Sequence, residues 1–175
     1  MAKKWIAGIL LIALMAIGIV QALDKKEEPT GSKEAAAQGL KEGVKAPDFQ
    51  LKTLTGETVK LSTLKGKKVM LNFWATWCGP CKAEMPAMEQ LSKEVDSDVA
   101  ILAVNIDPQL DVKGFVEENG ITFPILLDEK DEVNTMYQII SIPTTYFIDS
   151  KGVIQDKFIG AMPHDAMVQY IEDLK

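Results

Sequence analysis

Asn72-Phe73-Trp74-Ala75-Thr76-Trp77-Cys78-Gly79-Pro80-Cys81-Lys82-Ala83-Glu84-Met85-Pro86 is the stretch on which the reading of this chain turns. It holds the chain's only two cysteines, spaced C-x-x-C. A β-prone apolar run, Val69 to Trp74, leads into them, and a helix-prone run, Lys82 to Val95, leads away. The pair therefore sits where a strand hands over to a helix. In that setting a C-x-x-C is a redox candidate rather than a metal knuckle.

The chemistry follows from the placement. A helix starting at or near Cys78 turns its unpaired N–H groups and the positive end of its dipole toward that sulfur. A thiolate is stabilised there, so the Cys78 thiol is expected below its ordinary value of about 8.5. Cys81 lies one turn further along the same face. Cys78 can then attack a substrate disulfide, and Cys81 can resolve the mixed disulfide that results. Gly79 is expected to keep the turn tight. Pro80 fixes φ early in the helix, where a missing N–H costs little.

Two plainer readings compete. A purely structural disulfide gains little, because closing a loop of about four residues is worth only ~2 kcal/mol in the chain-entropy model. A structural zinc site wants four ligands, and the chain offers one cysteine pair and a single histidine, His164, far along the sequence. No metal is therefore expected, and no cofactor beyond the Cys78–Cys81 disulfide.

The 175 residues allow one ordinary domain plus an extension, so the cysteines are not needed as staples. The net charge is −6, and the basic residues are all lysine. Without guanidinium groups to read phosphate and guanine, nucleic acid is not an expected partner. Lys3 and Lys4 precede an uncharged run from Trp5 to Leu23. That run is long enough to span a bilayer, with the lysines holding the N-terminus inside. A cleaved signal peptide competes, since Val20-Gln21-Ala22 is a passable cleavage site; the length of the run favours a retained anchor. Either outcome places the cysteines outside the cytoplasm, and the anchor makes the chain a single-pass protein of the cell membrane.

Three segments are expected: a membrane anchor over 1–23, a charged and flexible tether over 24–43, and a folded domain over 44–175. Within the domain, Phe49 to Leu51 and Thr58 to Leu61 read as short strands, and Ser62 as the cap of a helical turn stopped by Gly66. Lys68 to Trp74 and Val99 to Ile106 read as buried strands, Ile125 to Leu127 as a short one. Val112 to Asn119, Glu129 to Tyr137 and Asp165 to Leu174 read as helices. Thr144 to Ile148 and Val153 to Ile159 read as a hairpin about Asp149-Ser150-Lys151-Gly152. Strands alternating with helices, then a hairpin and a last helix, predict an α/β fold with a central mixed sheet flanked by helices.

The residues Ala46-Pro47-Asp48-Phe49, Phe73 to Cys81, Glu84, Pro86 and Ile142-Pro143-Thr144 closely resemble the thioredoxin superfamily, and within it the membrane-anchored ResA/TlpA-type thiol-disulfide oxidoreductases of bacteria. The resemblance implies a thioredoxin-like fold, with Pro143 a cis-proline lying against the sulfurs and Pro86 kinking the redox helix. It implies client contacts at Trp77, Gly79, Pro80, Ile142 and Pro143, and an extra strand and helix within about 107–140. One departure stands out: the buried acid that cytosolic thioredoxins carry six residues before the first cysteine is Asn72 here. Proton handling then falls to Glu84. The resemblance also implies a reductase of client disulfides, such as those of apocytochrome c haem-attachment cysteines, fed by a thiol-transferring membrane protein. The competing functions are a disulfide-forming oxidase, a peroxidase and a redox-inactive binding module. Leu71 and Ala75 stand where peroxiredoxins use proline and threonine, which tells against the peroxidase. A binding module would have shed a cysteine or the proline, and this chain keeps both.

Overall fold

The buried strand Lys68–Trp74 (β3) lies at the heart of a seven-stranded sheet in the computed structural model, which describes residues 39–174. Its flanks are β1 (Gln50–Thr53), β2 (Thr58–Lys60), β4 (Val99–Asn105), β5 (Ile125–Leu127), β6 (Thr144–Ile148) and β7 (Ile154–Ile159), in the order β2-β1-β5-β4-β3-β6-β7. β3, β4 and β5 run parallel; β6, β7, β1 and β2 join antiparallel. Six of the seven residues of β3 are buried, so it reads as a near-continuous apolar run, as a strand covered on both faces must. The expected anchor over 1–23 and the tether as far as residue 38 lie outside the described residues. Among the described residues no helix is long and apolar enough to cross a membrane.

Two clusters fill the two faces of the sheet. On one, Met70 and Trp74 of β3 pack with α1 (Gly79–Glu94), α2 (Val112–Glu118) and α4 (His164–Asp173). On the other, Leu71 and Phe73 pack with Phe49, Leu61 and the short helix α3 (Glu132–Met136). Phe73, Tyr137 and Tyr146 form an aromatic group there, with ring centroids 5.3, 5.5 and 6.2 Å apart. Each such pair is worth about 0.5–1.5 kcal/mol beyond its burial.

Several boundaries differ from the sequence reading, for identifiable reasons. The helical turn Leu61–Leu64 is not capped by Ser62: the Ser62 N–H donates to the Asp48 carboxylate at 2.8 Å, so the satisfying oxygen comes from fourteen residues upstream. The helix expected over Glu129 to Tyr137 shrinks to α3. Asp131 takes a left-handed conformation (φ 58°), and the buried Asp128 carboxylate accepts from the Glu132 and Asn134 N–H groups, closing a turn where the helix was expected to begin.

The last residues read as tether are held against the domain. The Leu40 N–H donates to the Tyr146 hydroxyl at 3.0 Å, and the Gly43 N–H donates to the Ile154 carbonyl at 2.8 Å. Gly39 makes this approach possible. Its φ is +74°, and a Cβ there would meet the Tyr146 hydroxyl at 2.5 Å. Gly39→Ala is therefore expected to cost about 1–3 kcal/mol in chemical denaturation. Unchanged stability would place this contact outside the cooperative unit.

Candidate active site

β3 ends at Trp74, and α1 begins at Gly79 with Cys78 as its N-cap. Cys78 and Cys81 form a disulfide with a Cα–Cα distance of 5.2 Å. The Cys81 N–H donates to Cys78 Sγ at 3.1 Å, so the first sulfur takes up an otherwise unpaired donor of the helix start. Cys78 is 5% exposed and Cys81 is fully buried, so of the two only Cys78 meets the surface.

The Ile142–Pro143 peptide bond is cis and stands across the disulfide. Cys78 Sγ lies 3.7 Å from the Ile142 carbonyl oxygen. Around this opening Trp77, Gly79 and Pro80 are exposed, while Ile142 is half-buried and Pro143 buried. The Trp77 indole N–H donates to Asp107 Oδ2 at 3.1 Å, which fixes a large aromatic surface beside the sulfur. Gly79 has a different role from the one expected. Its φ is not positive, and a Cβ there would meet nothing within 4 Å. The turn does not demand glycine; its bare backbone leaves open space next to Cys78.

Beneath the disulfide, Glu84 lies one turn beyond Cys81 on α1 and is 2% exposed. Its Oε1 accepts from Asn72 Nδ2 at 2.8 Å, and its Oε2 accepts from the Met162 N–H at 3.1 Å. Burial disfavours the charged form more than these two donors restore it, and the Glu84 pKa rises to about 7. Asn72 Nδ2 also donates to Thr145 Oγ1 at 2.9 Å. Asn72 and Thr145 are direct cross-strand partners in the antiparallel pairing of β3 and β6, which is why they meet. Pro86 lies inside α1 without interrupting it. A separate cleft of about 280 Å³, bounded by Lys45, Leu61, Lys67 and Ile148, lies at the far end of β3 from the cysteines.

The structure thus gathers Trp77, Cys78, Gly79, Pro80, Cys81, Ile142 and Pro143 at one opening, with Glu84 below it. Sequence reasoning missed three neighbours. Asp107 follows the carboxyl end of a central parallel strand, a position at which site residues recur, so a signal was there. Thr145 is a polar residue in a strand whose five residues are all buried, a signal of the same kind. Met162 contributes only its backbone, which leaves no mark in the sequence.

A disulfide at a strand-to-helix junction, capping the helix and faced by a cis-proline, defines a thiol-disulfide oxidoreductase of thioredoxin fold, whose functional centre is the Cys78–Cys81 disulfide itself. Comparison with known proteins agrees. The model of the AhpC/TSA family matches residues 43–157. Thioredoxin-like protein YneN of Bacillus subtilis is 47% identical over 179 residues, covering 98% of this chain and 99% of that protein. Thiol-disulfide oxidoreductase ResA of Oceanobacillus iheyensis is 48% identical over 138 residues, covering 75% of this chain and 72% of that one. The crystal structure of StoA from Bacillus subtilis superposes with a TM-score of 0.65 at 35% identity, covering 73% of this chain and 97% of that one. The chain belongs to the AhpC/TSA family and, with its ResA relatives, to the thiol-disulfide oxidoreductases of the thioredoxin superfamily.

Proposed function

We propose that this chain is an extracytoplasmic reductase of protein disulfides, held at the membrane by residues 1–23 and carrying its redox domain on the outer side. The observation that carries the reading is the pairing of a surface-level Cys78 with a buried Glu84 on the same helix. In the dithiol form the Cys78 thiolate, stabilised by the helix N-terminus, attacks one sulfur of a client disulfide. The other client sulfur leaves as a thiolate and takes a proton. Cys81 then loses its proton and attacks Cys78 Sγ, which releases the reduced client and regenerates the Cys78–Cys81 disulfide. Glu84 is the acid placed to accept and return the Cys81 proton, because a group with pKa about 7 exchanges protons readily in either direction near neutral pH. Trp77, Gly79, Pro80, Ile142 and Pro143 form the surface on which the client chain rests.

Two electrons per cycle come from a thiol-transferring membrane protein that reduces the disulfide by the same exchange. Apocytochrome c with oxidised haem-attachment cysteines is the client class that the resemblance to ResA/TlpA-type oxidoreductases implies. The matched AhpC/TSA family also raises peroxide chemistry, but Leu71 and Ala75, both fully buried and apolar, stand where that chemistry uses a proline and a threonine. The reduction potential decides the direction. A value near the roughly −270 mV of thioredoxin is expected, with reduction of insulin disulfides. A value near the roughly −120 mV of strong oxidants would make the protein a disulfide-forming oxidase instead. Peroxide turnover without a disulfide substrate would revive the peroxidase, and absence of any exchange would leave a binding module.

A further inference from the structure

Asn72 is fully buried on β3, and its side-chain amide is half matched. Nδ2 donates to Glu84 Oε1 and to Thr145 Oγ1, while Oδ1 has no partner among the described residues. The second Glu84 oxygen faces the Met162 N–H. Both carboxyl oxygens therefore look at donors, which suits only the ionised acid. A protonated carboxyl carries an O–H that needs an acceptor, and here neither neighbour supplies one. Thr145 is in a related position: its hydroxyl oxygen accepts from Asn72, and none of its described hydrogen bonds takes its own proton.

One movement resolves both of these mismatches, while carrying the amide NH₂ to the place where Oδ1 now has no partner among the described residues. The two ends of a primary amide are nearly the same size, and a half-turn about its terminal torsion exchanges oxygen for nitrogen without moving the backbone. Oδ1 would then accept from the Glu84 O–H and the Thr145 O–H together, at the heavy-atom positions already seen. We propose that the Asn72 amide is a two-position rotor that follows the proton on Glu84: nitrogen toward the acid when it is ionised, oxygen toward it when it is protonated, with Thr145 switching from acceptor to donor.

Asn72 is thereby a positioning residue, acting through Glu84, and its catalytic meaning rests on the reading of Glu84 as the proton carrier. A fixed donor at this place would hold the acid ionised, and an apolar side chain would hold it protonated. A rotor gives each state a matched partner, which keeps both accessible at the pKa of about 7 that burial sets. An aspartate could not do this, since an ionised one only accepts and would repel the carboxylate. The other groups around Glu84 leave the field to the rotor. The two cysteines of α1 are joined in the disulfide, the loop before α4 offers only the Met162 N–H, and β6 offers Thr145. Lys82 is exposed, Glu89 is bound to Thr122 and Lys93, and His164 is bound to Glu94.

The test is NMR on the full chain in its disulfide form, following the Glu84 carboxyl carbon and the Asn72 side-chain NH₂ against pH. The Asn72 signals are expected to shift with the same midpoint as the Glu84 carboxyl, and their through-space contacts to Thr145 and Glu84 to be replaced across that midpoint. Thr145→Val should shrink the change and Thr145→Ser restore it. Asn72→Leu should strengthen proton binding at Glu84 by about tenfold, since the ionised acid loses a charge-assisted bond. Asn72 signals and contacts that stay constant while Glu84 titrates would overturn the rotor, and the wild-type measurement decides this even where a variant does not fold. The reading of Glu84 as proton carrier fails separately, by equal exchange rates in wild type and Glu84→Gln.

Discussion

Cys81→Ser should convert the protein into a trap that accumulates mixed disulfides with its clients. Cys78→Ser should bind none and lose exchange by about a thousandfold or more, as expected when a nucleophile is removed. The asymmetry comes from geometry. Cys78 is the sulfur that reaches the surface and caps α1, whereas Cys81 is fully buried a turn inside. A client can meet only the first, and only the second can release it. Non-reducing electrophoresis of the two variants after incubation with a disulfide-bonded client reads the outcome directly. Adducts through Cys81 in the Cys78→Ser variant would reverse the assignment.

The second large effect is on stability. Glu84 has a folded pKa of about 7 against an ordinary value of 4.5, so the folded chain holds this proton more tightly than the unfolded chain. Its contribution is then fully present below about pH 4.5 and is lost as pH rises through about 7. The difference corresponds to about 3 kcal/mol between those limits. Asp48 and Glu89 run the opposite way: hydrogen bonds, above all from the Ser62 and Thr122 N–H groups, hold their pKa values low against the opposing effect of desolvation, and their stabilisation is lost on acidification. The clean measurement is therefore the difference between wild type and Glu84→Gln in denaturant unfolding across pH 4 to 9. It should change by about 3 kcal/mol in favour of the glutamine as pH rises. A flat difference would mean that Glu84 has the same pKa in the folded and unfolded chain, and that burial does not raise it.

The sequence carried the central architecture because its signals there are redundant. Lys68–Trp74, Ile125–Leu127 and Thr144–Ile148 read correctly to the residue, each an apolar run bounded by turn or charged residues. The cysteine spacing fell on a strand-to-helix junction, which fixed where α1 begins. What failed was decided by contacts between distant segments. Ser62 looks like a cap, yet Asp48 supplies the bond. Glu129 to Asp131 look helical by composition, yet the Asp128 carboxylate gathers the amides that a helix would have left unpaired. Glu84 was legible only as an acid at the right spacing. That its carboxylate would be buried against Asn72 and a backbone amide could not be read from spacing, because a backbone donor has no sequence signature.

The disulfide is nearly flush with the surface, with Cys78 5% exposed and Cys81 not at all. Such a centre cannot reach into a client; on the docking surface proposed above, the client must bring its own disulfide to Cys78, on a chain loose enough to lie across Trp77 and the cis-proline. A disulfide locked inside a folded protein never makes that approach. Accessibility thus becomes a form of quality control. Cystines in unfinished or unravelled chains are open to attack, and those already packed into a native core are spared without having to be recognised.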